Sequence, residues 1–362
     1  MKGAAPRRFY TSDLCCRSSR CRGGHRAHPE EERGGQGLSR ARYVAGKLIG
    51  ALGTLFFVLV LNFFLFRILP GDPARTLTRL QRSSPSTIEA VKKELGLDRP
   101  LPVQFFNYLG DTARGELGIS YVFSRPVSEV IAGAFWPTIL LVGVATIGTT
   151  VIGTLIGIWG GWRRGSAVDT TTLGFGLVTY AMPEFWLGML LILIFAVALG
   201  WFPTSFMSTP GLVDVSAGAQ LVDTLEHQFL PALTLALALL GEYALIMRSS
   251  VIEAMHEDYV TTARAKGMRE ALVLRKHVVP NALLPVVTLT ALNLGFIVSG
   301  AITVETVFSW PGLGQLTFRA INGGPDYPLL QGLFLLFSAA VIFANLAADL
   351  LLGLLDPRIG RA

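Results

Sequence analysis

The sequence predicts an all-α, polytopic membrane protein with six transmembrane helices, and three observations carry that prediction. Of 362 residues, 51% are hydrophobic and only 15% are charged, a balance foreign to soluble domains of this size. Apolar runs recur six times, at 46–69, 134–160, 171–200, 229–248, 284–305 and 329–353. Each is long enough for a bilayer core, which takes about 20 residues per helix. Finally, the segments between the runs differ sharply in Lys and Arg content, as translocated and retained loops do.

An even number of spans puts both termini on one side. With that side inside, residues 1–47, 162–169, 248–283 and 354–362 hold 11, 2, 6 and 2 basic residues. The short outer segments 201–228 and 306–328 hold none and one. The long first outer loop is set aside, because long translocated segments follow the rule poorly. Both termini are therefore expected in the cytoplasm.

Taken in order, residues 1–43 form a basic tail expected to be disordered. Residues 1–47 carry 11 bases and 4 acids, or +7, while the whole chain is +6. The body is thus close to neutral and presents no nucleic-acid face. Cys15, Cys16, Cys21, His25 and His28 match no zinc-ligand spacing, so no metal site is expected. The tail lacks the apolar core of a signal peptide. It is compatible with a native start nearer Leu38 or Val44, which N-terminal sequencing decides. All three cysteines lie here, so no structural disulfide is expected elsewhere.

The first span, within 44–69, ends at Leu69-Pro70-Gly71-Asp72-Pro73, which cannot continue a helix. Residues 70–133 make an outer loop long enough to be an ordered cap. It should hold a helix from Ser86 to Leu95 stopped by Gly96, a turn at Asp98–Leu101, a helix from Pro102 to Tyr108, and the run Gly115-Glu116-Leu117-Gly118-Ile119-Ser120. The permease core follows at 134–358. Its first two spans join through Trp162-Arg163-Arg164-Gly165. Met182-Pro183-Glu184-Phe185-Trp186 then places an acid at membrane depth, where acids face a cavity or a partner. Glu184 either lines a translocation path or is buried and hydrogen-bonded. Glu242 lies in the fourth span, and Arg248, six positions on, is too far along the helix to face it.

Residues 251–285 hold the most polar and regular segment, DYVTTARAKGMREALVLRKHVVPNALLP at 258–285. Glu257 and Asp258 suit a helix N-terminus, and Arg264 and Lys266 suit its last turn. Gly267 then suits a left-handed stop before a second helical piece near Ala271. Pro280 is expected to break the helix ahead of the fifth span. That span ends at Val304-Glu305-Thr306-Val307-Phe308-Ser309-Trp310-Pro311-Gly312-Leu313-Gly314, a sharp outer turn with Trp310 suited to the membrane interface. Glu305 either walls a pore or, as favoured here, is buried and fixes the turn. Asp326-Tyr327-Pro328 opens the sixth span.

The 258–285 segment resembles the EAA coupling loop of ABC importer permeases, which docks on the ATPase subunit. Thr261, Thr262 and Ala263 occupy the Glu-Ala-Ala places, Gly267 the glycine, and Ala282-Leu283-Leu284-Pro285 the end. The threonines and the longer gap are similar to the dipeptide/oligopeptide/nickel branch. LPGDP, LGLDRPLPVQFFNYL and GELGISY resemble marks of its first permease subunit, although Pro280 is more like the sister subunit. Asp349 and Asp356-Pro357-Arg358 match the family's ending and are read as structural.

The resemblance implies a permease moving peptides or related small solutes across the inner cell membrane by alternating access. It implies as partners a second permease subunit, one or two ABC ATPase subunits, an extracytoplasmic solute-binding protein and membrane lipid. Asp258, Tyr259, Ala263, Arg264, Ala265, Lys266 and Gly267 become the ATPase-coupling residues, and Glu184 and Glu305 the translocation-path candidates. The sequence holds no G-x-x-x-x-G-K-[ST] phosphate loop, nucleophile elbow or paired hydrolytic carboxylates, so neither an enzyme nor a cofactor is expected. The alternative is an ion-coupled secondary transporter using Glu184 and Glu242, for which the sequence shows no inverted repeat.

Overall fold

A computed structural model of the chain describes residues 29–68, 99–212, 216–299, 301–322 and 325–355. Among these residues the regular structure is helical, with one isolated bridge between Ile119 and Pro126. Five helices are long and apolar enough to span a bilayer, and a bent pair makes a sixth. Residues 1–28 with their cysteines, the LPGDP run, the expected helix from Ser86 to Leu95 and Asp356-Pro357-Arg358 lie outside the described residues.

Helix α1 (Pro29–Ile68) begins fifteen residues before the expected start of the first span at 44. Pro29 at its first position and Glu30, Glu31 and Glu32 in its first turn explain the earlier start, since both suit a helix N-terminus. Its membrane part is Arg42–Phe66. Helix α2 (Leu101–Arg114) starts with Pro102 in its first turn and stops at Gly115, whose φ of 80° is left-handed. It leans on α1: the Phe63 ring meets Phe105 and Tyr108 at 5.3 and 5.6 Å, and Asn62 Nδ2 donates to Tyr108 Oη at 3.2 Å.

The following turn is anchored from the far end of the chain. Buried Asp326 accepts from Ser120 Oγ at 2.5 Å and from the Val122 N–H at 3.0 Å, and caps the Leu329 N–H at 3.2 Å. The turn after α2 and the last span are therefore held by one carboxylate.

Helices α3 (Val127–Trp162) and α6 (Ala217–Met255) form the centre of the bundle. They approach through Gly153, Gly157 and Gly161. A Cβ at Gly157 would stand 2.6 Å from both Ala244 O and Met247 Cβ. At Gly153 it would stand 2.7 Å from Tyr243 Cβ. In lipid such small-residue seams associate helices by close van der Waals contact, because the hydrophobic effect does not distinguish a neighbouring helix from an acyl chain. Across the other side of α6, Gly241 lies against the Gly176 carbonyl of α4 (Ala167–Ala181), with no room for a Cβ.

The third span, expected as one apolar run over 171–200, is interrupted. It breaks at Met182-Pro183, and α4 meets α5 (Glu184–Leu191) and its π-helical continuation Ile192–Ala198 at 100°. The residue before a proline is pushed to extended backbone, and Met182 has ψ 130°.

Pro280 does the opposite of what was expected. After α7 (Asp258–Ala265) and α8 (Glu270–Val273), a π turn at Leu274–Val278 leads directly into α9 (Val279–Ser299). A widened turn just before the ring supplies room where an α-helix would clash with the carbonyl four residues back, so the helix continues. The fifth apolar run is divided instead at its C-terminal end, where α10 (Ile302–Val307) is separate from α9. Helix α11 (Leu313–Ile321) and the last span α12 (Tyr327–Leu355) complete the chain.

Candidate functional site

The polar loop folds as its sequence implies. Asp258 lies in the first turn of α7 and Arg264 in the last. Gly267, at φ 76°, ends the helix. Its N–H donates to Arg264 O at 2.9 Å, and the Met268 N–H reaches back to Ala263 O at 3.3 Å. This pair of bonds is the Schellman arrangement, which requires a left-handed residue at Gly267. Arg264 then bridges the stop: Nε and Nη2 donate to the Glu270 carboxylate at 3.0 and 3.2 Å, tying α7 to α8.

The face α7 turns inward decides what the loop can transmit. Val260 and Ala263 are buried in one cluster with Val251 and Ala254 of α6, Val273 of α8, Val278 of the π turn and Ala282 of α9. Met268 and Leu274 close its edge. The loop is thus seated on the adjoining ends of α6 and α9 and cannot shift without displacing them. Of the expected coupling residues, Asp258, Tyr259, Arg264, Ala265, Lys266 and Gly267 are exposed, whereas Ala263 is an inward anchor. Burial, and then the neighbouring Glu257 carboxylate, push the Tyr259 phenol above its usual range, so it remains a neutral donor.

The seat is braced by a pair that sequence reasoning missed. Arg248 of α6 binds Asp169 of α4 through two bonds, Nε to Oδ1 and Nη2 to Oδ2, the second at 3.1 Å. Asp169 also accepts the Gly165 N–H at 2.8 Å, fixing the Arg163-Arg164 turn. Their separation of 79 positions leaves no local signal. Glu242 has no hydrogen-bond or ion-pair partner among the described residues.

The two translocation-path candidates take different roles. Glu305 is fully buried and organises the turn between α10 and α11. It accepts from Thr138 Oγ1 at 2.8 Å and from the Gly314 and Gln315 N–H groups at 2.7 and 3.0 Å, so its charge sits on the N-terminus of α11. Gly312 is a glycine because a Cβ there would collide with this carboxylate, and Gly314 because a Cβ there would stand 2.7 Å from Ile302 Cα and 2.8 Å from Ile302 N. Glu184, half-buried, starts α5 at the helix break and accepts from Thr303 Oγ1 at 3.0 Å. It therefore couples the two helix interruptions, at Pro183 and before α10. Trp310, expected at the interface, is instead buried and donates Nε1–H to Pro137 O at 2.9 Å. The tight turn folds its ring back against α3, where that carbonyl satisfies the indole.

A family model for the binding-protein-dependent transport system inner membrane component matches residues 153–361, and one for the N-terminal part of such membrane components matches residues 40–142. The glutathione transport system permease protein GsiC of Pectobacterium atrosepticum is 42% identical over 318 residues, covering 88% of this chain and 98% of that protein. GsiC of Salmonella choleraesuis is 41% identical over 317 residues with the same coverages, 88% and 98%. GsiC of Escherichia coli is 39% identical, again over 88% of this chain and 98% of its own length. Among solved structures, the inward-facing methionine ABC transporter MetNI aligns over 63% of this chain and 96% of the matched chain, at 18% identity and a TM-score of 0.49.

Proposed function

The chain belongs to the family of binding-protein-dependent transport inner-membrane components, and we propose that it is one of two non-identical permease subunits of an ABC importer for small peptides, with a glutathione-sized solute as the substrate class. Two ATPase subunits and an extracytoplasmic binding protein complete the complex, and both termini of this chain face the cytoplasm. The glutathione permeases that share 39–42% identity support the substrate class.

The observation that carries the mechanism is the seat of α7. Its outer face offers Asp258, Tyr259, Ala265 and Lys266 to a partner, while Val260 and Ala263 lock it to α6 and α9. An ATPase that moves α7 on binding ATP would pull the inner ends of both spans together. The glycine-packed α3, and α4 through Asp169–Arg248, follow as one body. At the outer end, Glu305 keeps the α10–α11 turn rigid, so the motion opens or closes the path at the helix breaks joined by Glu184 and Thr303. Glu184 is the residue proposed to face the path.

The test is isolation of the tagged chain from native membranes in mild detergent, with co-purifying proteins identified by mass spectrometry. A second six-span permease with one or two ATPases is expected. A chain that arrives alone or as a homo-oligomer, even after crosslinking, contradicts the proposal.

A further inference from the structure

Outside the coupling machinery, the inner ends of α1 and α12 enclose a crevice of about 280 Å³. Its floor on α1 is Gly46 and Gly50, and a Cβ at either would meet nothing within 4 Å. These glycines therefore do not serve close helix packing, unlike those of α3. They leave space. At the mouth Lys47 Nζ lies 2.8 Å from Asp349 Oδ2, and both side chains are about two-fifths exposed, at 39% and 40%. The Tyr43 ring stands 5.8 Å from Lys47 Nζ, which orients the ammonium.

Two uncharged polar side chains line the crevice deeper in the membrane. Asn345 is one turn below Asp349, about 6 Å at the helical rise, and Thr54 is two turns below Lys47, about 10 Å. Both belong to spans whose other lipid-facing residues are apolar, such as Ile49, Leu52 and Phe343, at 70%, 64% and 59% exposure. A cation beside an anion at the surface, an amide at the next level and an open apolar trough beneath repeat the profile of one kind of molecule. That molecule has a phosphate beside an ammonium, ester carbonyls below them, and acyl chains.

We propose that this crevice is a binding site for a zwitterionic phospholipid with a primary ammonium, phosphatidylethanolamine. Its phosphate pairs with Lys47 and its ammonium with Asp349. Asn345 donates to a glycerol ester carbonyl, and one acyl chain starts over Gly50 and runs inward past Ala51 and Ile342. The site rests on the α1–α12 geometry alone and does not depend on the transported solute.

Native mass spectrometry of the purified transporter complex tests it, after addition of equal amounts of phosphatidylethanolamine and phosphatidylglycerol. The wild-type complex should retain phosphatidylethanolamine with at least fivefold preference. Gly50→Leu, which fills the trough and leaves the ion pair intact, should bring retention to the bulk level. Lys47→Ala/Asp349→Ala should abolish the preference, whereas the exchanged pair Lys47→Asp/Asp349→Lys should keep it within about twofold. Thermal unfolding in the same detergent identifies any variant that loses lipid by misfolding, and the exchanged pair then carries the comparison. Equal retention of the two lipids by wild type, or wild-type retention by Gly50→Leu, overturns the proposal. So does an efficient crosslink from Gly46→Cys to the sister permease, which would make the crevice a protein contact.

Discussion

Removing the Glu305 carboxylate tests whether this acid holds the outer turn or walls the path. In Glu305→Ala the Gly314 and Gln315 N–H groups lose their acceptor inside a dry site, and the Thr138 hydroxyl loses its own. Thr138 keeps its second bond, accepting the Leu313 N–H at 2.7 Å, and its hydroxyl can turn, so two orphaned backbone donors dominate. Together they cost about 2–6 kcal/mol, and the vacated volume adds to this. Glu305→Gln keeps an oxygen for α11 and loses mainly the charge–dipole term, up to about 2 kcal/mol at a buried helix end. Thermal unfolding of the detergent-solubilised protein should rank wild type, then Gln close behind, then Ala far below. Emission from Trp310, isolated by difference against Trp310→Phe, should shift to the red in Glu305→Ala only. Wild-type stability and unchanged Trp310 emission in Glu305→Ala would refute the structural role. A Gln variant that is stable but fails to transport would place Glu305 on the path.

Three further outcomes follow from the packing. Gly267→Pro cannot take φ 76° and removes the N–H that closes the α7 stop. The complex should still assemble while substrate-stimulated ATP turnover is lost, and unaltered stimulation counts against coupling through α7. Gly241→Val drives a side chain into the Gly176 carbonyl, an overpacking cost of about 1–3 kcal/mol or more. Gly143→Val, whose Cβ has open space, should unfold like wild type in the same melting assay. Arg248→Met strands the buried Asp169 carboxylate and should cost about 3–5 kcal/mol. The double variant Arg248→Met/Asp169→Leu should recover much of that loss, and a double variant worse than the single would contradict the ion-pair account.

How much of this was legible in the sequence depends on the range of the interactions. The α7 stop was readable because its parts are local: acids, then bases, then a glycine, each answering to the helix end beside it. The membrane spans were readable because apolar length needs no partner. The 100° break was not, although Met182-Pro183 was visible, because proline is tolerated within many membrane helices and only the packing around α5 fixes the angle. Pro280 misled for the converse reason, since a π turn absorbed a ring that the local rule forbids. Gly153, Gly157 and Gly161, spaced by four, carry a readable helix-seam signal that composition alone obscures. Asp169–Arg248 and Ser120–Asp326 join residues 79 and 206 positions apart, where a single sequence holds no trace of the pairing. Trp310 was placed at the interface on residue type, but the turn made by Glu305 carries it inward to Pro137.

An ATPase acting on the exposed face of α7 would come within crosslinking reach of Tyr259 and Lys266 but not of buried Ala263. Single cysteines at Tyr259, Lys266 and Ala263 test it most directly, with site-specific crosslinking to the co-purified ATPase in the presence and absence of ATP. Adducts from positions 259 and 266 that change in yield with nucleotide, and none from the buried position 263, are the predicted result. Absence of adducts from 259 and 266, or an equal yield from all three, would contradict it.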